Sequence, residues 1–237
     1  MPPVARLADV PTDRMHLLLM LVLTFTTGIV DAVGYLGLDR VFTGNMTGNV
    51  VILGMGLVGA DDLPVLGPAL ALVGFMAGAA LGGRVLRRAA GAWTGLTTGL
   101  FGLVGVLCLG LALVLLVVGE EPEPAVGLPV TTLLGAAMGV QAATARFIAV
   151  KDVTTVVVTS TITGLAADST LGSGKARAAG GGSGRRFSAV ALILAGAAVG
   201  AALLRWHVGV GLLLAAVLIL AVTVVGAVHD RLKPVEP

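Results

Sequence analysis

Charge is scarce in this chain. Aspartate, glutamate, lysine and arginine together make up 12% of its 237 residues, about half the ~25% typical of soluble domains. Apolar residues make up 57% and the mean hydropathy is +1.02, which points to an integral membrane protein. Cysteine is nearly absent: Cys108 stands alone in an apolar run, excluding an intrachain disulfide and a thiolate metal site. Aromatics contribute 4% and the net charge is only +2. No basic stretch is interleaved with aromatics, so nucleic acid is not an expected partner. His16, His207 and His229 fall at the ends of apolar runs, away from any face of carboxylates, and no metal or other cofactor is expected. No Ser/His, Cys/His, His-Glu-x-x-His or paired-Asp arrangement suggests chemistry, so the chain does not read as an enzyme.

What is present is a series of apolar runs, at about 15–38, 41–60, 64–83, 93–118, 125–149, 153–172, 187–204 and 208–228. The first exceeds the roughly 7–15 residues of a signal peptide's apolar core, and it reads as a spanning helix after a polar segment, 1–14. If all eight runs cross, the basic residues divide eight to seven between the two sides, with no bias. If runs 41–60 and 153–172 instead dip in and return, Arg84, Arg87, Arg88, Arg146 and Lys151 change sides. The tally becomes thirteen inside against Arg40 and Arg205 outside, as the positive-inside rule requires. Both termini and a flexible basic loop, 172–186, then lie in the cytoplasm, and the acidic stretch at 119–125 lies outside.

The same two runs are unusual in chemistry. One contains "FTGNMTGN" (42–49), the other "VTTVVVTSTITG" (153–164). Each follows a span with a similar tail: "GIVDAVGYLGLDRVFTGNMTGNVVILG" (28–54) lies on "GVQAATARFIAVKDVTTVVVTSTITGL" (139–165), Gly28 on Gly139, with Thr47 on Thr159 after one inserted residue. Further on, "GFMAGAALGGRVLRRAAGAW" (74–93) is similar to "ILAGAAVGAALLRWHVGVG" (193–211). The shared order of span, Thr-rich dip, Gly-rich span and long span predicts a repeat, 15–118 and 125–228, within a single transmembrane domain, 1–237. Three crossings per repeat make the copies inverted. The expected fold is therefore an all-α integral membrane protein. It has six transmembrane helices and two re-entrant broken segments, each a short strand plus a half-helix, in an inverted-topology internal repeat.

Extended, residues 41–45 cover ~16 Å, and a helix over 47–59 covers ~20 Å, each just over half of a ~30 Å apolar core. Val153–Val158 is rich in β-branched residues and suits a strand, with a half-helix over 160–172. Non-helical backbone at that depth must be buried in protein or line a wet cavity. Its free N–H groups must be capped, and two facing half-helix N-termini favour an anion or a polar ligand. The candidate solute-binding residues are Asp31, Thr43, Asn45, Thr47, Asn49, Gln141, Thr154, Thr155, Thr159 and Thr161. Asp31 reads either as a proton or cation site or as an interfacial group that caps a helix end or pairs with Arg40. The Asn and Thr side chains read either as solute ligands or as partners for irregular backbone, and Thr hydroxyls also bond their own i−4 carbonyls. The glycine stripes Gly74/Gly78/Gly82, Gly95/Gly99, Gly135/Gly139 and Gly196/Gly200 are helix-packing signals and also offer a homo-oligomer contact. "GSGKARAAGGGSGRR" (172–186) is no phosphate loop, since Ser169 replaces the first Gly and Ala176 the Ser/Thr.

"GIVDAVGYL" followed by "VFTGNMTGN", with "GVQAATAR…TTVVVTSTITG" in the second half, resembles the YoaK-like family of uncharacterised bacterial inner-membrane proteins over roughly 15–228. One departure is Gln141-Ala142-Ala143, where the family often has Gln-Asn-Ala. The resemblance implies a multi-pass plasma-membrane protein and brings no substrate. The site itself suggests a secondary transporter of a small polar or anionic solute, coupled to a proton or cation. An aquaporin-like channel and a membrane accessory protein or enzyme without transport are the alternatives.

Overall fold

Long apolar runs satisfy their backbone in lipid by forming helices, and six of them do so here. The computed structural model describes residues 7, 9–90, 93–119, 122–150, 158–169, 172–174 and 182–233. The α-helices are α1 (Thr12–Gly37), α2 (Met46–Gly56), α3 (Leu66–Leu86), α4 (Gly95–Val118), α5 (Pro124–Ile148), α6 (Val158–Ala167), α7 (Gly182–Leu203) and α8 (Val208–Leu232). All but α2 and α6 are long and apolar enough to cross a membrane. The protein is a multi-pass membrane protein. With 11 and 10 residues, α2 and α6 reach only ~15–16 Å at 1.5 Å per residue, half of a ~30 Å core.

Local chemistry sets the helix ends. Thr94 and Thr97 form a reciprocal capping box at the start of α4, and Gly119, at φ 106°, ends it. Pro124 opens α5, where its missing N–H costs nothing, and Ala149, in the left-handed region, closes it. His207 Nδ1 accepts the Gly209 N–H at the start of α8.

Glycines decide the packing. On α3, a Cβ at Gly74 or Gly78 would land on the Thr132 or Ala136 carbonyl of α5; on α5, one at Gly135 or Gly139 would land on the Ala71 or Phe75 carbonyl of α3. The α1–α7 pair is built likewise, with Gly28 against Ile193 and Gly196 and Gly200 against Phe25 and Ile29. These stripes are thus used inside the chain. Gly95 and Gly99 of α4 meet nothing within 4 Å. The central core joins α1, α4, α5 and α8 through residues such as Leu23, Phe101, Leu134 and Leu212. The pattern of contacts maps onto itself when α1–α4 are exchanged with α5–α8. The α3–α5 contact becomes α7–α1, α4–α5 becomes α8–α1, α2–α3 becomes α6–α7, and α4–α8 is its own image.

Two expectations need correction. No strand forms at 41–45, nor anywhere else among the described residues. The segment is non-helical, but its backbone groups bond to side chains in place of a partner strand. Of the strand expected over 153–158, residues 153–157 lie outside the described residues, and Val158 already belongs to α6. The loop expected at 172–186 is shorter, because α7 begins at Gly182. Arg186 there pairs with Asp168 at 2.7 Å, and arginines at a helix end keep their heads in water while their stems lie on apolar surface.

Candidate functional site

One face of α1 carries Thr27, Asp31 and Gly34 at helical spacing, and the chain after α1 folds back onto that face. The reversal uses Asp39 and Arg40, both in the left-handed region (φ 59° and 58°). Gly34 lets the returning segment lie close: a Cβ there would sit 2.5 Å from the Val41 carbonyl oxygen, and the Val41 N–H donates to the Gly34 carbonyl. Tyr35 stacks on Phe42, ring centroids 4.7 Å apart. Gly44 similarly permits close approach to Thr27.

At the end of this segment three successive N–H groups, of Thr43, Gly44 and Asn45, donate to Asp31 Oδ1 at 3.0, 2.6 and 3.3 Å. The Asn45 side chain then accepts the Gly48 N–H and caps α2. Asn49 Oδ1 accepts the Phe42 N–H at 2.9 Å, and its Nδ2 donates to the Phe42 carbonyl at 2.5 Å. Asn45 and Asn49 of "FTGNMTGN", together with Asp31 of α1, therefore replace hydrogen bonds that a helix would have made. The Asp31–Arg40 pair does not form; the ion pair found among the described residues joins Arg186 and Asp168. Asn49 is 1% exposed, so Asn49→Ala leaves the N–H and carbonyl of the half-buried Phe42 without their partner. The expected cost is about 2 kcal/mol, read as a lower melting temperature in detergent. An unchanged melting temperature would mean that Phe42 is bonded otherwise.

A cavity of about 1170 Å³ opens beside this cluster. Thr27, Asp31, Asn45 and Thr47 line it from the first half, and Ala142 and Thr159 from the second. It extends to Arg87, just past α3, and to Arg146, in the last turn of α5. Phe75, Phe147, Val150 and Ile193 supply apolar wall. Asp31 is only 8% exposed, and its Oδ2, unlike Oδ1, has no hydrogen-bond partner among the described residues.

Of the expected site residues, Asp31, Asn45, Thr47 and Thr159 meet at this cavity, and Thr43, Asn49, Gln141 and Thr161 do not line it. Thr43 is fully buried against Gly34. Gln141 is fully buried behind the wall, with Nε2 donating to Thr27 Oγ1 at 3.2 Å, a link between the two halves. Thr161 is buried in α6. Thr154 and Thr155 lie outside the described residues. Sequence reasoning missed Thr27, Arg87 and Arg146 as site residues. Thr27 stands one helical turn before Asp31, and that spacing was the available signal; the arginines entered only as topology markers.

A family profile described as "Protein of unknown function (DUF1275)" matches residues 19–225. The chain belongs to that family. The match starts within α1 and ends within α8, so both halves and every cavity residue named above fall inside the DUF1275 region. A relative, the UPF0700 transmembrane protein YoaK of Bacillus subtilis (strain 168), is 47% identical over 60 residues, 25% of this chain and 27% of the relative. The aligned part thus spans about a quarter of that relative's length. No solved structure matches.

Proposed function

We propose that this protein is a secondary transporter of a small polar or anionic solute in the bacterial inner membrane. Its solute site lies at the midplane, between the N-termini of α2 and α6. The observation that carries this reading is the shared cavity: Met46 and Thr47 at the start of α2 and Val158 and Thr159 at the start of α6 line one space, together with the buried Asp31. Cavities lined by two short helices from two halves suit alternating access.

The packing register supports an inverted repeat. Laying Gly28 on Gly139 and Gly78 on Gly196 converts three glycine contacts of one half into their counterparts in the other. Gly78 meets Ala136 as Gly196 meets Phe25; Gly82 meets Val140 and Ala143 as Gly200 meets Ile29 and Ala32; Gly139 meets Phe75 and Ala79 as Gly28 meets Ile193 and Ala197. Each half holds three long helices, and an odd number of crossings turns the second half over. On this reading α2 and α6 are re-entrant, both termini are cytoplasmic, and the cavity opens to the cytoplasm between Arg87 and Arg146. Asp31 Oδ2 is the proton or cation site of coupling. Any homo-oligomer contact falls on α4, where Gly95 and Gly99 face no neighbour.

The test is access and flux together. Thr47→Cys and Thr159→Cys should react with an impermeant thiol reagent from the cytoplasmic face, over a silent background, since native Cys108 is fully buried. A reporter in the 84–92 loop should read cytoplasmic and one at 119–125 external. Labelling from outside alone, or an external 84–92 loop, would overturn the inward-open reading. Purified protein in liposomes should exchange solute across the bilayer; failure across a broad panel of organic acids and polar solutes favours the accessory-protein alternative.

A further inference from the structure

The two halves are matched in packing but not in charge at the cavity. The glycine register that lays Gly28 on Gly139 lays Asp31 on Ala142, and both residues line the same space. In the first half a carboxyl group stands at this position; in the second half there is a methyl group. One helical turn beyond Ala142 on the same helix comes Arg146, and Arg87 reaches the cavity from α3. Neither arginine has an ion-pair partner among the described residues. Both are exposed, at the ends of α3 and α5, and guanidinium groups at the rim of a cavity offer a carboxylate bidentate hydrogen bonds. Asp31 presents the opposite chemistry. It is nine-tenths buried, Oδ1 is saturated by three backbone N–H groups, and Oδ2 is left to accept a hydrogen bond from whatever enters.

We infer that the cavity binds a 2-hydroxy or 2-amino carboxylate with an apolar side chain, resting on the transporter reading of the same site. The ligand's carboxylate occupies the place beside Ala142 that Asp31 fills in the other half, within reach of Arg146 and Arg87. Its hydroxyl or ammonium donates to Asp31 Oδ2. The side chain lies against Phe75, Phe147 and Ile193. The volume of about 1170 Å³ lies just above the range of ordinary ligand sites, roughly 300–1,000 Å³, so an aromatic or branched body fits better than a two- or three-carbon acid. A site with a buried acceptor rejects an analogue that lacks the matching donor, because the acceptor is then desolvated without a partner.

The experiment uses the purified full chain in detergent and four probes of one shape: phenyllactate, phenylalanine, 3-phenylpropionate and phenethylamine. Binding is measured by thermal shift and by saturation-transfer NMR. Phenyllactate or phenylalanine should bind saturably, and 3-phenylpropionate (no donor) and phenethylamine (no carboxylate) should each bind about tenfold or more weaker. Asp31→Asn keeps an oxygen for the three N–H groups but turns the cavity atom into a donor, so it should erase the preference of phenylalanine, whose ammonium can only donate, over 3-phenylpropionate, while the phenyllactate hydroxyl can turn to accept. Ala142→Asp supplies the missing carboxylate from the protein, next to Arg146, and should abolish binding of every carboxylate probe while the variant remains monodisperse. If Ala142→Asp does not fold, Arg146→Gln should weaken the carboxylate probes and leave phenethylamine unchanged. Equal binding of phenyllactate and 3-phenylpropionate by the native protein, or no saturable binding of any probe, overturns the inference. Binding without flux in liposomes removes the transport reading and keeps the ligand class; flux of some other solute without binding of these probes does the reverse.

Discussion

Leucine at Gly78 or at Gly196 prevents the protein from folding, whereas leucine at Gly110 leaves it intact. Those are the expected outcomes of three substitutions that look alike on a hydropathy scale. In a membrane, burying apolar area against another helix gains little, because lipid is equally apolar; helix association rests on close van der Waals packing. At Gly78 the first side-chain atom would occupy the Ala136 carbonyl, and at Gly196 the Phe25 carbonyl. In both cases the obstacle is backbone, which cannot rotate away as a side chain can. The helices must separate, and the interleaved contacts go with the one that was replaced: those of Gly74, Gly135 and Gly139 in the α3–α5 pair, and those of Gly28 and Gly200 in the α1–α7 pair. Overpacking costs roughly 1–3 kcal/mol where side chains can adjust, and a backbone obstacle puts these sites at or beyond the upper end. Gly110 has nothing within 4 Å, so leucine there projects into lipid. The measurement is the yield of monodisperse protein on size exclusion in detergent, followed by thermal unfolding. Folding of both leucine variants at native yield would mean that the α3–α5 and α1–α7 pairs are looser than described. Failure of one alone would argue against the equivalence of the two halves.

The sequence made the parts that depend on length and composition legible. Eight apolar runs approached spanning length, and the positive-inside tally singled out the six that became α1, α3, α4, α5, α7 and α8; three of the four glycine stripes marked faces that interdigitate, and Gly95/Gly99 did not. The hydroxyl- and amide-rich runs marked where helix gives way at 41–45. Partner choice was not legible. Asp31 reads equally well as a proton site or as a cap until the turn at Asp39 and Arg40 brings residues 43–45 onto it, and nothing local dictates that turn. Asn49 looked like a solute ligand by type; its bonds to Phe42, seven residues earlier, exist only because the chain doubles back. A strand was expected because β-branched and extended residues suit one, but an extended segment becomes a strand only beside another, and at 41–45 side chains occupy the positions a neighbouring strand would take. Arg87 and Arg146 were read through the positive-inside rule, which places them by side and is blind to the cavity that they share with Asp31.

Asp31→Ala is expected to be among the most damaging polar substitutions in the protein, and Asp31→Asn to be tolerated. One oxygen of Asp31 takes the N–H groups of Thr43, Gly44 and Asn45. Thr43 and Gly44 are buried, and water entering from the cavity that Gly44 and Asn45 line satisfies three converging N–H groups less well than one carboxylate oxygen does. Each buried donor left unpaired costs about 1–3 kcal/mol. Losing the shared acceptor therefore removes on the order of 3 kcal/mol or more, a large fraction of the roughly 5–15 kcal/mol that folded proteins have. The expected readout is loss of the monodisperse peak, or a sharply lower melting temperature, for Asp31→Ala. Asparagine keeps an oxygen at the Oδ1 position, so the tip of the broken segment stays bound to α1 and the protein purifies normally. What asparagine removes is the ability of the second oxygen to take a proton or a cation. In liposomes, Asp31→Asn should therefore uncouple solute movement from the imposed proton or cation gradient while passive exchange persists. Native-like melting of Asp31→Ala would mean that the three N–H groups find other partners. Gradient-driven uptake by Asp31→Asn at the native rate would leave Asp31 a purely structural residue, holding the chain in place and nothing more.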